Sequence, residues 1–206
     1  MFLLILSVAF TGCAVPYETA IQKLDSAKSC CRDFSEFTFE QLPFEKPFTF
    51  DLDQTSPVYD FASGKSYFKA VKLPEHSVPY VIRFRVYAQG TTPDDSHIFY
   101  PKFVLLNDNF SIESEVVPDL AVEKNVPAAM KENFGGSALM FSGEITIRKT
   151  EQKYLLVLTT EKLLSSSSKW LLYLGAFAYS PFSPAEGIKD ISHSPIGRIV
   201  LEVKGE

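Results

Sequence analysis

The sequence is poor in the residues from which most enzyme and metal sites are built. It holds 3 cysteines, 3 histidines and 1 tryptophan among 206 residues. No His-Glu-x-x-His or Cys-x-x-Cys spacing occurs, so zinc chemistry has no recognisable ligand set. No Gly-x-Ser-x-Gly elbow presents a nucleophile, and no glycine-rich loop is available to cradle phosphates. Lysine and arginine never form a long block, and the formal net charge is −5. A phosphate backbone needs a concentrated basic face, so nucleic acid is not an expected partner. No apolar run reaches the roughly 20 residues of a transmembrane helix. No segment recurs at a fixed period.

What is present is the composition of a globular domain. Hydrophobic residues make up 46% and charged residues 22%, a balance that disordered chains do not have. The counts of 18 Phe and 9 Tyr are high, and aromatic residues favour strands. The length suits one domain with a sizeable core rather than two.

The N-terminus reads as an export signal. Phe2 to Phe10 is almost unbroken apolar sequence and fits the core of a signal peptide. It ends in Phe10-Thr11-Gly12-Cys13, which resembles a bacterial lipobox. Residues 1–12 are then removed and Cys13 is acylated, with several acyl chains making the attachment stable. No Lys or Arg precedes the run, which leaves the Met1 amino group as its positive charge unless translation starts upstream. Ala14 stands where an inner-membrane retention signal would place Asp, which points to the periplasmic face of the outer membrane. The competing reading is a buried N-terminal strand with Cys13 as an ordinary core residue. Cys30 and Cys31 are adjacent, and the periplasm permits disulfides. They are read either as two half-buried thiols or as a vicinal bridge, and two ligands do not make a metal site.

Beyond the leader, Ile21, Leu24 and Ala27 fall at helical intervals, so residues 13–33 carry a short amphipathic helix. From Phe34 the pattern becomes one of short strands. Phe37 and Phe39 alternate with polar residues, as do Phe48, Phe50 and Leu52. Tyr67 to Leu73 follows a Ser63-Gly64-Lys65 turn. Tyr80, Ile82, Phe84 and Val86 alternate with Val81, Arg83, Arg85 and Tyr87, which predicts one wet sheet face. Phe103 to Leu106 and Tyr154 to Leu158 read as fully buried strands. Leu139 to Ile147 alternates clearly, Trp170 to Phe177 is a further apolar strand, and Ile199, Leu201 and Val203 close the chain. Pro127 to Asn133 and Glu161 to Ser167 are the few helical signals. The expected fold is all-β: an antiparallel, jelly-roll-like β-sandwich over residues 34–206, with a short N-terminal helix and one or two helical turns.

Four segments resemble the maltose operon periplasmic protein (MalM) family. They are Phe61-Ala62-Ser63-Gly64-Lys65-Ser66-Tyr67-Phe68, Pro101 to Asp108, Tyr154-Leu155-Leu156-Val157-Leu158-Thr159-Thr160-Glu161-Lys162, and Gly197 to Lys204. The likeness spans roughly Phe34 to Lys204 and is weakest over Val116 to Phe134. It implies a non-catalytic periplasmic protein associated with uptake of maltose or maltodextrins, with no cofactor. The family member carries a Pro/Ala-rich linker and helical tail after its β domain and is exported unlipidated, and this sequence differs in both respects.

The candidate sites follow from chemistry. His76, His97 and His193 lie in Ser- or Pro-rich, loop-like surroundings. Asp94-Asp95-Ser96-His97 reads as a solvated loop. Asp51 and Asp53 share a strand face but are read as its outward polar side, since a glycosidase needs carboxylates on opposite sides of a bond. For a sugar, aromatic faces beside orienting polar groups are required. Arg83, Arg85 and Tyr87 on one strand, with Trp170 and Tyr173 on another, are the candidate ligand-binding residues. The competing account makes the two aromatics core and the arginines solvated. The alternative function is a structural or assembly lipoprotein that contacts an outer-membrane protein, such as a porin, through an exposed edge strand.

Overall fold

The computed structural model describes residues 17–90, 96–123, 140–173 and 186–204, with backbone alone for 170–173 and 186–189. The described residues form an all-β sandwich with two short helices. Helix α1 spans Tyr17–Ser26, a 3-10 turn spans Phe34–Glu36, and α2 spans Glu161–Leu164. The strands are β1 (Glu40–Gln41), β2 (Phe48–Leu52), β3 (Val58–Phe61), β4 (Gly64–Lys72), β5 (Tyr80–Tyr87), β6 (His97–Phe99) and β7 (Lys102–Leu106). They continue as β8 (Ile112–Val116), β9 (Ala121–Val122), β10 (Met140–Ile147), β11 (Tyr154–Leu158), β12 (Ser167–Tyr173), β13 (Glu186–Ser194) and β14 (Gly197–Lys204).

One sheet runs β1-β4-β11-β7-β8, with β3 pairing beside β1 on the same edge of β4. A second runs β2-β14-β5-β10-β9, and a third joins β12, β13 and β6. Most pairings are antiparallel; β1 with β4 and β13 with β6 are parallel.

The period-2 pattern of β5 explains how the sandwich closes. Tyr80, Ile82, Phe84 and Val86 are buried while Val81, Arg83 and Arg85 are half-exposed. The buried set packs against Tyr67, Val71, Phe103, Leu105, Leu155 and Val157 of the first sheet in one core. Burying such side chains contributes about 1.5–3 kcal/mol each.

The first sheet differs from the second in being covered on both faces. Phe68, Ala70, Val104, Leu106, Leu156 and Leu158 point away from the main core into a second cluster. Residues 31–39 lie over this face and insert Phe37, which stacks on Phe68 with ring centroids 4.2 Å apart. Burial on both sides is why β7 and β11 read as unbroken apolar runs.

Several expectations change. Phe37 and Phe39 alternate because they clamp onto a sheet, not because they form a strand; the strand begins only at Glu40. His97 and His193 lie within β6 and β13 and are buried, since neighbouring Ser and Pro residues do not prevent pairing in a covered strand. Strand β13 itself had no apolar signature by which to be found. Residues 1–16, with the signal segment and Cys13, lie outside the described residues. So do Leu139, the Pro127–Asn133 segment, Asp94, Asp95 and the end of the strand expected to reach Phe177.

Gly197 marks a close approach between β14 and β6. A Cβ placed there would sit 2.5 Å from Phe99 Cβ, an atom tied to the backbone that cannot swing aside. Gly197→Ala is expected to destabilise the fold by about 1–3 kcal/mol through overpacking. Denaturant unfolding measures this, and an unchanged midpoint would refute the contact.

Candidate functional site

The β3–β4 hairpin builds one wall of a groove on the outer face of the first sheet. Phe61 pairs with Gly64 across the Ala62-Ser63 turn, and Gly64 adopts φ 108, a conformation that glycine enters without penalty. The hairpin presents Tyr59, Asp60 and Phe61 in sequence. Phe34 joins them from the 3-10 turn, its ring centroid 5.6 Å from Tyr59 and 6.1 Å from Phe61. Tyr59 and Phe61 meet edge to face at 4.9 Å.

The turn that carries Phe34 is held at both ends. Asp33 accepts from the Ser35 N–H at 2.9 Å, and Glu36 accepts from the Arg32 N–H at 2.8 Å. These bonds satisfy helix-start donors that would otherwise be orphaned. The hydrogen bonds from Ser35 hold the Asp33 carboxyl below its ordinary pKa.

Val104 and Leu158 form the floor, and Lys102, Glu115 and Ile112 form the opposite wall. Lys102 Nζ lies 3.0 Å from Glu115 Oε2, while Asp60 stands 4.0 Å from Lys65. The groove has a volume of about 450 Å³. An aromatic wall facing a fixed ion pair offers ring faces for C–H surfaces and charged groups for hydroxyls, the pattern of a small-ligand site.

A smaller cleft of about 270 Å³ lies at the end of the sandwich where β4 leaves and β5 and β11 begin. It is lined by Lys72, Glu75, His76, Tyr80, Lys149 and Lys153 among others. Burial pushes the Tyr80 phenol up to about 12, so that group stays protonated.

Of the expected ligand-binding residues, the structure brings Arg83, Arg85 and Tyr87 together on the outer face of the second sheet, away from the groove. Their charges are matched there. Arg83 Nη2 donates to Glu123 at 2.8 Å, and Arg85 lies 3.4 Å from Glu123 and 3.2 Å from Glu202. Tyr87 is buried against Met140 and Val200. Asp51 accepts a bidentate pair from Arg198 at 2.6 and 2.8 Å, and Asp53 caps the turn after β2 through the Thr55 N–H at 2.7 Å. Trp170 and Tyr173 belong to β12 in the third sheet; their side chains lie outside the described residues. The five therefore do not share one sheet. Tyr59 and Phe61 are not among the expected ligand-binding residues, although their alternation around Asp60 just before the Ser63-Gly64 turn is a hairpin signal.

His193 is buried and its ring is hydrogen-bonded on both nitrogens. Its Nδ1 is 2.9 Å from the Leu163 carbonyl oxygen, which can only accept, so Nδ1 carries the proton. Nε2 then accepts from the Ser168 hydroxyl at 2.8 Å. These bonds tie α2 and β12 to β13. Among the described residues no group of three or more His, Cys, Asp or Glu could hold a metal ion. No helix of the described residues is long and apolar enough to cross a membrane. Comparison with protein-family models, curated proteins and solved structures finds no match for this chain.

Burial lowers the His193 pKa below its ordinary 6.5. The unfolded chain therefore binds more protons in the window below 6.5, and stability is complete above that value and falls as pH drops through it. The melting temperature should decline between about pH 7.5 and about pH 5.5, with a shallower slope in His193→Asn. Equal slopes for the two proteins would contradict this account.

Proposed function

We propose that this chain is a non-catalytic periplasmic lipoprotein, anchored through Cys13 to the inner leaflet of the outer membrane, that serves maltose or maltodextrin uptake as an accessory binding module. The observation that carries the reading is the groove of Phe34, Tyr59 and Phe61 facing the Lys102–Glu115 pair. A glucan offers alternating apolar ring faces and hydroxyl edges. The aromatic wall takes the former and the ion pair the latter, with no chemistry required. The resemblance of four β segments to the maltose operon protein family supports the ligand class. The apolar run ending in Gly12-Cys13 supports the address.

Tyr59→Ala and Phe61→Ala are each expected to weaken maltoheptaose binding by about tenfold, the loss of one aromatic contact. Arg83→Ala, on the other sheet, should leave it unchanged. Titration calorimetry with melting controls reads both, and a wild-type protein that takes up no α-glucan would end this proposal. For the anchor, cells fed radioactive palmitate should label the wild type and not Cys13→Ser. An unlabelled wild-type protein would argue against lipidation.

A second reading, an assembly lipoprotein that contacts an outer-membrane protein such as a porin, is favoured by one feature. Strand β8 is an edge of the first sheet, and Ile112 and the adjoining Val117 are each 51% exposed. Apolar residues on an open edge are suited to pairing with another chain. Co-purification of a porin that is lost in Ile112→Lys would support this reading over glucan binding.

A further inference from the structure

Ser29, Cys30 and Arg32, around the Cys30–Cys31 disulfide, are each bonded to the strand that forms the aromatic wall. The Ser29 hydroxyl accepts from the Asp60 N–H at 3.0 Å. The Cys30 N–H donates to the Val58 carbonyl at 2.8 Å. The Tyr59 hydroxyl donates to the Arg32 carbonyl at 3.1 Å. Residues 29–32 therefore run beside β3, with the disulfide joining Cys30 to Cys31 in the middle of them.

Position decides what this bridge can do. Stabilisation of a fold by a disulfide grows with the length of chain it closes, and adjacent residues close almost none. Its effect is local: two side chains joined within one dipeptide restrict the backbone that carries the Cys30 N–H and leads into the Arg32 carbonyl. Cys31 is half-buried beside Phe34 against the outer core cluster, and Cys30 is exposed. A thiolate from solvent can therefore reach the Cys30 sulfur.

We infer that the Cys30–Cys31 disulfide is a redox-sensitive clamp that positions the Tyr59–Phe61 wall of the groove. As a statement about ligand affinity this rests on the glucan reading; as a statement about the wall it does not. A dithiol reductant opens the clamp. One of its thiolates attacks the Cys30 sulfur, the S–S bond breaks, and Cys31 leaves as a thiolate that takes up a proton. The reductant's second thiol then displaces Cys30 from the mixed disulfide. Two electrons pass to the protein, which ends with two thiols, and the reductant ends as a disulfide. Freed rotation at residues 30 and 31 loosens the Arg32 carbonyl from the Tyr59 hydroxyl, and the ring that faces the ligand loses its fixed orientation.

The test uses the full chain, oxidised, reduced with a phosphine, and as the Cys30→Ser/Cys31→Ser double variant without reductant. Amide exchange at Cys30 and Asp60 should quicken by about tenfold in the reduced protein and the variant. Maltoheptaose affinity should fall by about fivefold, while the melting temperature moves by no more than about 2 °C. Faster exchange at these two amides on reduction and in the variant, together with an oxidised protein that binds no glucan, would uphold the clamp and remove the glucan reading. Unchanged exchange in both the reduced protein and the variant would overturn the clamp. So would a large drop in melting temperature with exchange rising across the whole sandwich, because the bridge would then hold the fold rather than the wall.

Discussion

The middle strands of the first sheet have no wet face, and much of the molecule answers to that constraint. Strands β4, β7 and β11 carry apolar side chains on both sides. The second sheet covers one side. The other would leave Phe68, Val104, Leu106, Leu156 and Leu158 in water, an apolar patch that a folded chain does not tolerate. Residues 31–39 cover it by threading Phe37 into the cluster and laying Phe34 and Phe39 along its margins. Where this cover stops, between the β3–β4 hairpin and the β8 edge, a groove remains above the buried Val104 and Leu158. The groove is thus a consequence of incomplete covering.

The second sheet meets the opposite condition. Away from the buried Tyr87, Met140 and Val200, its outer face is charged, and the charges pair between strands: Arg83 and Arg85 with Glu123 and Glu202, Arg198 with Asp51, Lys204 with Glu144. Such partly exposed pairs add little net stability one by one. Together they mark which face of β2, β5, β10 and β14 belongs in water. A one-residue slip would bury every one of these charges, so register is well specified. The same pairing leaves the two arginines committed to carboxylates, which makes this face a poor place for a ligand.

Legibility in the sequence tracked how directly each residue's environment depends on its neighbours in the chain. β5 was readable because alternation and one-sided burial are the same fact. β7 and β11 were readable because residues buried on both sides must be apolar. Phe37 and Phe39 were misleading: a segment lying over a sheet also places alternate side chains inward, so period 2 arises without a strand. His193 sits among serines and looks like loop sequence, yet Leu163 and Ser168, brought in from α2 and β12, satisfy its ring. The groove was only half visible. The hairpin bearing Tyr59 and Phe61 has a local signature, but its facing partners Phe34, Lys102 and Glu115 come from distant stretches.

Composition and periodicity alone determined the all-β class and the inward faces of strands such as β5, because burial acts residue by residue. Only tertiary structure decided that the arginines of β5 are paired and that residues 29–32 run beside β3. It alone decided that three aromatic rings share a groove with a Lys–Glu pair. Those are relations between segments far apart in the chain, and a one-dimensional pattern holds no term for them.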